Sequence, residues 1–522
     1  MKKPYDPIEL ELFKNIFVSI SEEMGAVLGR TALSPNIKER KDFSCALFTA
    51  EGETFAQGAH IPVHLGAMPL SVKASLQAVH FKKGDCVVLN DPYKGGTHLP
   101  DITLVSPVFI KEKISFFVAN RAHHSDVGGM SPGSMPLSTE IFQEGLIIPP
   151  IKLIKRGSIQ KEILDMIMAN VRTPEERKAD IMAQIASNYV GQKRLQEVAN
   201  KFGFSKIRKY ASLVQDYTEI FLRKTLRSLP NGTFEFMDKM DDDGISSEHV
   251  PIHVRITIKE EEAIIDFTGS SPQVKGCINA NLAVTTSAVM YVFRSLIEED
   301  IPFNTGLIRP IEIIAPPGSI VNAQFPSATA GGNVETSQRI VDVLLGALYQ
   351  FCPEKIPAAS SGTMNNIALG GFNKETKTRF TYYETIGGGM GASMKADGLS
   401  GVHTHMTNSL NTPLEAIENY LPLRVNTYSL RRNSGGRGKT QGGEGLVREY
   451  EFLIPTQVSM ISERRRLAPY GLRGGQPGKK GRNTLISRGK KVSLPSKFNI
   501  TVMKGDVLRV KTPGGGGYGK KP

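Results

Sequence analysis

The run Gly84–Phe109, GDCVVLNDPYKGGTHLPDITLVSPVF, reads as a strand that ends in a polar loop and re-enters a second strand. A turn at KEKI (Lys111–Ile114) leads into a third strand, SFFVANRAHHSDVGG (Ser115–Gly129), whose end is again polar. Strand-turn-strand units of this kind present side chains from a rigid scaffold at the strand ends. Two polar clusters sit there: THLPD at Thr97–Asp101 and HHSDVGG at His123–Gly129. Imidazole and carboxylate are the usual ligands of a borderline divalent ion such as Zn²⁺, Mn²⁺ or Fe²⁺. His98 and Asp101 share a loop stiffened by Pro100, which can turn both side chains to one side. A histidine delivered across the hairpin would complete a three-ligand face with positions left for water. His123 and His124 are adjacent, so on a strand they face opposite ways. One reaches the metal, and the other enters packing or the substrate pocket. Asp42, at the start of an earlier strand, is the candidate fourth ligand. Against this stands the loose specificity of His-x-x-Asp, since a strand-end histidine is often only a hydrogen-bonded surface residue.

Outward from this region the pattern is mixed. Residues 7–31 carry apolar positions at helical spacing, and Asp42–Gln57 alternates about a turn at Glu51-Gly52, predicting a helix and then a β-hairpin. A helix over Leu70–Phe81 follows. Residues 161–226 are long, charged and helical. Alternating strands return over Gly232–Gly269, then an apolar helix over 277–300 and a strand at IRPIEIIAPP. SATAGGNVETSQRIVDVLLGALYQF (Ser327–Phe351) is a Gly-marked loop entering a helix. Beyond Gly387 glycine is frequent, and the last hundred residues read as short strands with tight turns. The expected fold is multi-domain α+β (mixed), with a helical middle segment and a β-rich C-terminal module. Its expected regions are 1–160 (N-terminal α/β, carrying the metal site), 161–228 (helical), 229–420 (central α+β) and 421–522 (basic, Gly-rich β).

With 522 residues the chain is too long for one compact core. Its 40% hydrophobic and 22% charged residues are ordinary for a globular enzyme. No apolar run approaches the roughly 20 residues that span a bilayer, so no membrane role is expected. The N-terminus lacks an apolar signal-peptide core, and the expected location is cytoplasmic. Four cysteines without CxxC spacing exclude a disulfide framework or zinc ribbon and read as core residues. The net charge of +13 is uneven: residues 421–522 hold 22 Lys+Arg against 5 Asp+Glu. No RNA-reading signature accompanies them, so the expectation is a protein-partner surface and no nucleic acid.

Other polar groups complete the candidate set. His60 and His64 in AHIPVHLGAMP lie four apart, but Pro62 opposes one helical face; they read as substrate-pocket or structural residues. His403 and His405 in GVHTHMTN share a face if that segment is a strand, and read as substrate-lining. GGRGKTQGGEG (Gly435–Gly445) offers backbone amides to an anion, or simply tight turns. No GxxxxGK[ST] phosphate loop is present.

The run Gly84–Phe109, followed by ANRAHHSDVGGMSPGS (Ala119–Ser134), resembles the signature region of the hydantoinase B family. That family includes subunits of N-methylhydantoinase, 5-oxoprolinase, caprolactamase and, more distantly, acetone and acetophenone carboxylases. The resemblance continues, in order, through RKDFSCALF, QGAHIPVHLGAMPLSV, FPSATAGGNVETSQRIVD, GGGMGASMKADGLSGVHTHMTNSLNTPLE, SGGRGKTQGGEG and TPGGGGYG, nearly the whole chain. It implies a divalent metal (Zn, Mn or Fe) held by His98, Asp101 and His123, with Asp42 as a further ligand. It favours His123 over His124 as ligand and makes Asp126 a carboxylate that orients an imidazole. It also implies ATP bound by a hydantoinase A-type partner subunit, in a heterotetramer with two copies of each subunit. The implied activity is hydrolysis of a small cyclic amide, a hydantoin or lactam. A metal-activated water would open the ring after the partner phosphorylates the carbonyl oxygen, with Asp42 or Asp126 as base. Alternatives are a subunit of an acetone-type carboxylase and a non-catalytic scaffold for the ATPase subunit.

Overall fold

The computed structural model describes residues 6–521 apart from residue 59. Helix α1 (Pro7–Thr31) starts where the Asp6 side chain accepts the Ile8 amide and proline fills the first turn. Its apolar stripe, Leu10, Phe13, Phe17, Ile20, Met24 and Leu28, is buried. After α2 (Pro35–Lys38) come β1 (Phe43–Thr49), β2 (Thr54–Gln57) and α3 (Ala67–Ala78). The strands β3 (Cys86–Leu89), β4 (Asp101–Ile110), β5 (Lys113–His123), β6 (Ile151–Lys155) and β7 (Ser158–Ile159) follow. All seven strands join one antiparallel sheet in the order β2-β1-β5-β4-β3-β6-β7.

Helices α4 (Lys161–Ala169), α5 (Pro174–Phe202) and α6 (Phe204–Arg227) complete this unit. α1, α5 and α6 share a core with one sheet face through Cys45, Leu47, Val118 and Ala122. Met68 and Val72 of α3 cover the other face over Ala46, Phe48 and Val105. The sheet is covered on both sides, so β4 is buried almost throughout rather than alternating. Residues 161–228 are therefore not a separate body. The inner face of α5 is polar: Gln184 donates to the Ile102 carbonyl (2.9 Å), and Asn188 donates to the Leu104 carbonyl (3.1 Å). Those bonds seat a charged-looking helix against the sheet.

The central unit has β8 (Gly232–Met240), β9 (Val250–Lys259), β10 (Glu262–Asp266) and β11 (Ile311–Ile314), ordered β11-β10-β9-β8 with β10 and β11 parallel. Helices α7 (Leu282–Ser295) and α8 (Ser337–Leu348) pack into its core. A π-helical turn at Gly332–Thr336 leads into α8.

The C-terminal strands do not begin a new body at residue 421. β12 (Asn366–Asn373) and β13 (Thr378–Glu384) precede α9 (Leu414–Tyr420), β14 (Leu423–Arg431), β15 (Gly445–Phe452) and β16 (Thr456–Ile461). β17 (Arg482–Ser487), β18 (Lys490–Leu494), β19 (Lys497–Val502) and β20 (Val507–Lys511) follow. One sheet runs β13-β12-β16-β19 and the other β14-β15-β20-β17-β18. The expected boundary is thus crossed by a sheet, because β12 completes its hydrogen bonding with β16, and both sheets share one apolar core. Most amides of the glycine-rich segments are engaged in contacts between segments distant in the chain. The Gly443 amide donates to the Met390 carbonyl (2.8 Å) and the Gly515 amide to the Gly443 carbonyl (2.9 Å). A Cβ on Gly443 would stand 1.9 Å from the Leu399 carbonyl oxygen, so backbone lies directly on backbone there.

Candidate metal centre

The turn before β4 is closed by the Asp101 amide, which donates to the His98 carbonyl (3.1 Å). It brings His98 Nδ1 to 3.0 Å from Asp101 Oδ2. Asp101 opens β4 directly opposite His123, the last residue of β5. On the other side of β5, Phe43 of β1 stands opposite Ala122, and the His123 amide donates to the Asp42 carbonyl (3.0 Å). Asp42, His123 and Asp101 thus form a row across three neighbouring strand ends, and opposed residues of an antiparallel pair share a face. His123 Nδ1 lies 3.5 Å from Asp101 Oδ1. Ligand atoms of His98, Asp101 and His123 all fall within 4.8 Å of one another. Asp42 lines a small cavity with Asp101 and His123, which His98 does not line, and stands outside that close group.

The three grouped residues are 0%, 1% and 3% exposed. Burial opposes ionisation of Asp101, yet the surrounding imidazoles of His98, His64 and His123 hold its carboxyl well below the usual range. Burial lowers the His123 imidazole, favouring the neutral form that binds metals. Both ring nitrogens of His98, His123 Nε2 and Asp101 Oδ1 make no hydrogen bond. Leaving a buried polar atom unsatisfied costs about 1–3 kcal/mol. A divalent cation among them would satisfy several at once, and the nitrogen and oxygen donors suit such an ion. The enclosed space, ≈ 20 Å³, is of a size for one ion or water.

Several neighbours complete the site. His64, on the 3₁₀ turn Pro62–His64, places Nε2 at 3.3 Å from Asp101 Oδ2, with Nδ1 2.9 Å from Ser44 Oγ. The Thr97 hydroxyl donates to Asp101 Oδ2. The Tyr383 ring of β13 stacks on His123 at 4.2 Å and 16°. Its hydroxyl donates to Asn366 Oδ1 (2.7 Å), and Asn366 Nδ2 donates to Glu335 Oε1 (2.6 Å). Tyr383, Asn366 and Glu335 carry no local sequence signal that ties them to a site far earlier in the chain. Thr97 does carry one, since it lies in the THLPD cluster at four-residue spacing from Asp101.

The remaining expected residues lie elsewhere. His124 turns to the opposite face, Nε2 3.0 Å from Gln184 Oε1 of α5, so it is a packing residue and does not line the metal cavity. Among the described residues Asp126 makes no hydrogen bond to an imidazole, and both its oxygens are engaged elsewhere. Its oxygens accept from the Arg172 guanidinium (2.9 Å) and from the amides of Gly128, Gly133 and Arg172. His60 also lies off the cavity: Nδ1 accepts the Cys45 amide (3.2 Å) and Nε2 is 3.8 Å from Glu22. His403 and His405 line a different, larger cavity.

Glu144 anchors the loop beside the site by accepting the amides of Thr329 (2.8 Å) and Ala330 (2.9 Å). Burial pushes its carboxyl up to about 7, against the lowering effect of those bonds. A raised carboxyl contributes stability that is complete below its unfolded value of about 4.3 and is lost as pH rises through about 7. Thermal melts of metal-depleted Glu144→Gln, which keeps an acceptor oxygen, should therefore fall less than wild type between these values. Parallel curves would count against the shift.

Residues 6–521 match the family model described as Hydantoinase B/oxoprolinase. The chain is 42% identical to 5-oxoprolinase 1 of Arabidopsis thaliana, covering 98% of this chain but 42% of that protein. It thus spans less than half of that relative's length. It is 32% identical to a Pseudomonas sp. protein provisionally named as the B-type subunit of a D-/L-hydantoinase, covering 99% and 90% of the two chains. The ATP-dependent caprolactamase structure from Pseudomonas jessenii superimposes with a TM-score of 0.92 at 27% identity, over 99% of this chain and 92% of that one. The chain belongs to the hydantoinase B/oxoprolinase family.

Proposed function

We propose that this chain is the metal-binding subunit of a cytoplasmic, ATP-dependent cyclic-amide hydrolase. It would work with a hydantoinase A-type, ATP-binding subunit, as a heterotetramer, on a hydantoin or lactam ring. The observation that carries this is the buried convergence of His98, Asp101 and His123 with ligand atoms left unpaired. The names of relatives, 5-oxoprolinase, D-/L-hydantoinase and ATP-dependent caprolactamase, support the substrate class and the use of ATP.

An amide in a small ring gains little strain relief on opening, so activation by ATP and a strong nucleophile are both needed. A divalent metal supplies the second by lowering the pKa of a bound water to about 7. His98, Asp101 and His123 would hold that metal. His64, fixed by Ser44, and Thr97 hold Asp101 in place. Asp42 lines the cavity, and its carboxylate makes no hydrogen bond among the described residues. It is therefore available as a fourth ligand or as acceptor for the water's proton. Tyr383 covers the His123 ring and excludes solvent from that side.

The test is elemental analysis of the purified chain beside an Asp101→Ala/His123→Ala double variant. The expected result is one divalent metal per wild-type chain and none in the variant. With the partner subunit and ATP, the wild type alone should open hydantoin or 5-oxoproline. Negligible metal in both after loading with zinc or manganese would rule out the centre and favour a scaffold. Ring opening that is absent while ATP-dependent bicarbonate fixation is present would favour a carboxylase role.

A further inference from the structure

Arg40, just before Asp42, is fully buried, and each N–H of its guanidinium meets a neutral acceptor. Nε donates to the Leu410 carbonyl (3.3 Å), and Nη1 donates to Asn36 Oδ1 (2.7 Å) and the Tyr383 carbonyl (3.0 Å). Nη2 donates to Thr385 Oγ1 (2.6 Å) and Ser409 Oγ (2.9 Å). Among the described residues Arg40 makes no ion pair, and its guanidinium lies over the Tyr383 ring at 5.5 Å. A guanidinium keeps its proton in any protein environment, so a cation is buried here with no countercharge. Such a charge is costly to bury, and it leaves positive potential in the low-dielectric space around it.

The hydroxyls that Arg40 holds have a proton to spare. Ser409 Oγ is 3.1 Å from Thr385 Oγ1 and 3.2 Å from Thr407 Oγ1, and the Ser409 amide donates to Thr407 Oγ1 (3.5 Å). Ser409 Oγ has two lone pairs, of which Arg40 takes one. It can therefore accept from only one of the threonines and must donate to the other, so the run Thr385–Ser409–Thr407 has a direction. Started at Thr385, it ends with a free O–H on Thr407; reversed, it ends with a free O–H on Thr385. Both threonines line the cavity of ≈ 20 Å³ that Asp42, Asp101 and His123 also line, and Ser409 does not. The cavity is the space left to that proton.

We propose that Thr385 and Thr407 form an anion-holding wall of this cavity: whichever ends the run donates its O–H to a single negatively charged atom, the oxygen of hydroxide in the working enzyme. The space fits one water-sized species, so the ligand is neither a ring nor a carboxylate. A donor fixed beforehand stabilises charge without having to reorient when the charge appears. The assignment rests on the metal reading, because the carboxylates of Asp42 and Asp101 face the same cavity and repel an anion unless a cation stands among the ligands. Asn36, which accepts from Arg40, also donates to the His123 carbonyl (2.8 Å), so one network holds both the wall and the ligand strand.

Fluoride, isoelectronic with hydroxide, is the probe, followed by fluorine NMR relaxation on the zinc-loaded full chain, with zinc content measured on every preparation. Thr385→Val and Thr407→Val should each change fluoride affinity little, because the run then ends on the other threonine. Thr385→Val/Thr407→Val should weaken fluoride about tenfold or more, as expected for a hydrogen bond to a charged group, with zinc content unchanged. Thr385→Ser/Thr407→Ser restores both hydroxyls and should bind as wild type does. Formate, a polyatomic anion, should not displace the fluoride. At full zinc content, unchanged affinity in the valine pair, equal weakening in the serine pair, or a wild type that holds no fluoride would overturn the wall and leave the metal centre standing. Displacement by formate would overturn the single-atom ligand. A wild type that takes up no zinc would overturn both readings.

Discussion

Replacing His123 by alanine is expected to strip the metal, whereas replacing its neighbour His124 is expected to leave it bound. His123 stands in the strand-end row with Asp101 and Asp42, inside a group of ligand atoms within 4.8 Å. Loss of even an outer partner of a ligand typically weakens a metal about 10–100-fold, so loss of His123 itself should exceed that. His124 instead faces α5, where its ring meets Gln184 Oε1. His124→Ala leaves that buried acceptor unsatisfied, a cost of about 1–3 kcal/mol in stability, with metal content near wild type. Metal content and thermal melts on the same two preparations separate the effects. The reverse pattern, metal kept in His123→Ala and lost in His124→Ala, would mean that the β5 register places the opposite face at the centre.

That register explains what the sequence could reveal. The two polar clusters are legible because ligand-type residues stand at strand ends, and the period of two fixes that only one of His123 and His124 faces the cavity. Helix α1 is legible from the helical spacing of its buried apolar stripe, whereas β1 and β2 are buried on both faces, so the turn at Glu51-Gly52 rather than alternation marks that hairpin. Tyr383 is not legible: it reaches His123 from β13, about 260 residues later in the chain, through a packing of two units that no local pattern encodes. Asp126 resembles a supporting carboxylate from its place in HHSDVGG, but Arg172 from the loop before α5 claims it. Pro62 argues against a helical face for His64, and the 3₁₀ turn that His64 occupies is the geometry this proline permits.

The basic C-terminal stretch looks like a surface for a partner, and most of its cations are exposed, yet a few are internal. Arg448, Arg464 and Lys497 are buried at 1%, 1% and 3% exposure, and Arg464 and Lys497 pair with carboxylates of the central unit. Part of a charge asymmetry along a chain can therefore record complementarity between its own parts.

Arg464→Met is the sharpest test of that complementarity. The Arg464 guanidinium donates to Asp238 Oδ2 of β8 and to Asp342 Oδ2 of α8, both at 2.6 Å. Arg339 shares both carboxylates, at 3.1 and 3.5 Å. Burial alone would raise the Asp238 carboxyl, yet Arg464 and then Arg339 outweigh it and hold it at about 2. A depressed carboxyl contributes stability that is complete above its unfolded value and is lost as pH falls through about 2, so the contribution is in place at neutral pH. Removing one partner of such a buried group typically costs about 3–5 kcal/mol, because the remaining charge is left uncompensated. Urea unfolding at neutral pH should show a loss of that order for Arg464→Met. Arg464→Met/Asp342→Asn should recover part of it by removing the surplus negative charge. A loss below about 1 kcal/mol in the single variant would mean the cluster behaves as a solvated surface pair. Arg464 already holds φ at +60°. Methionine inherits the same backbone strain, so the measured difference belongs to the charge.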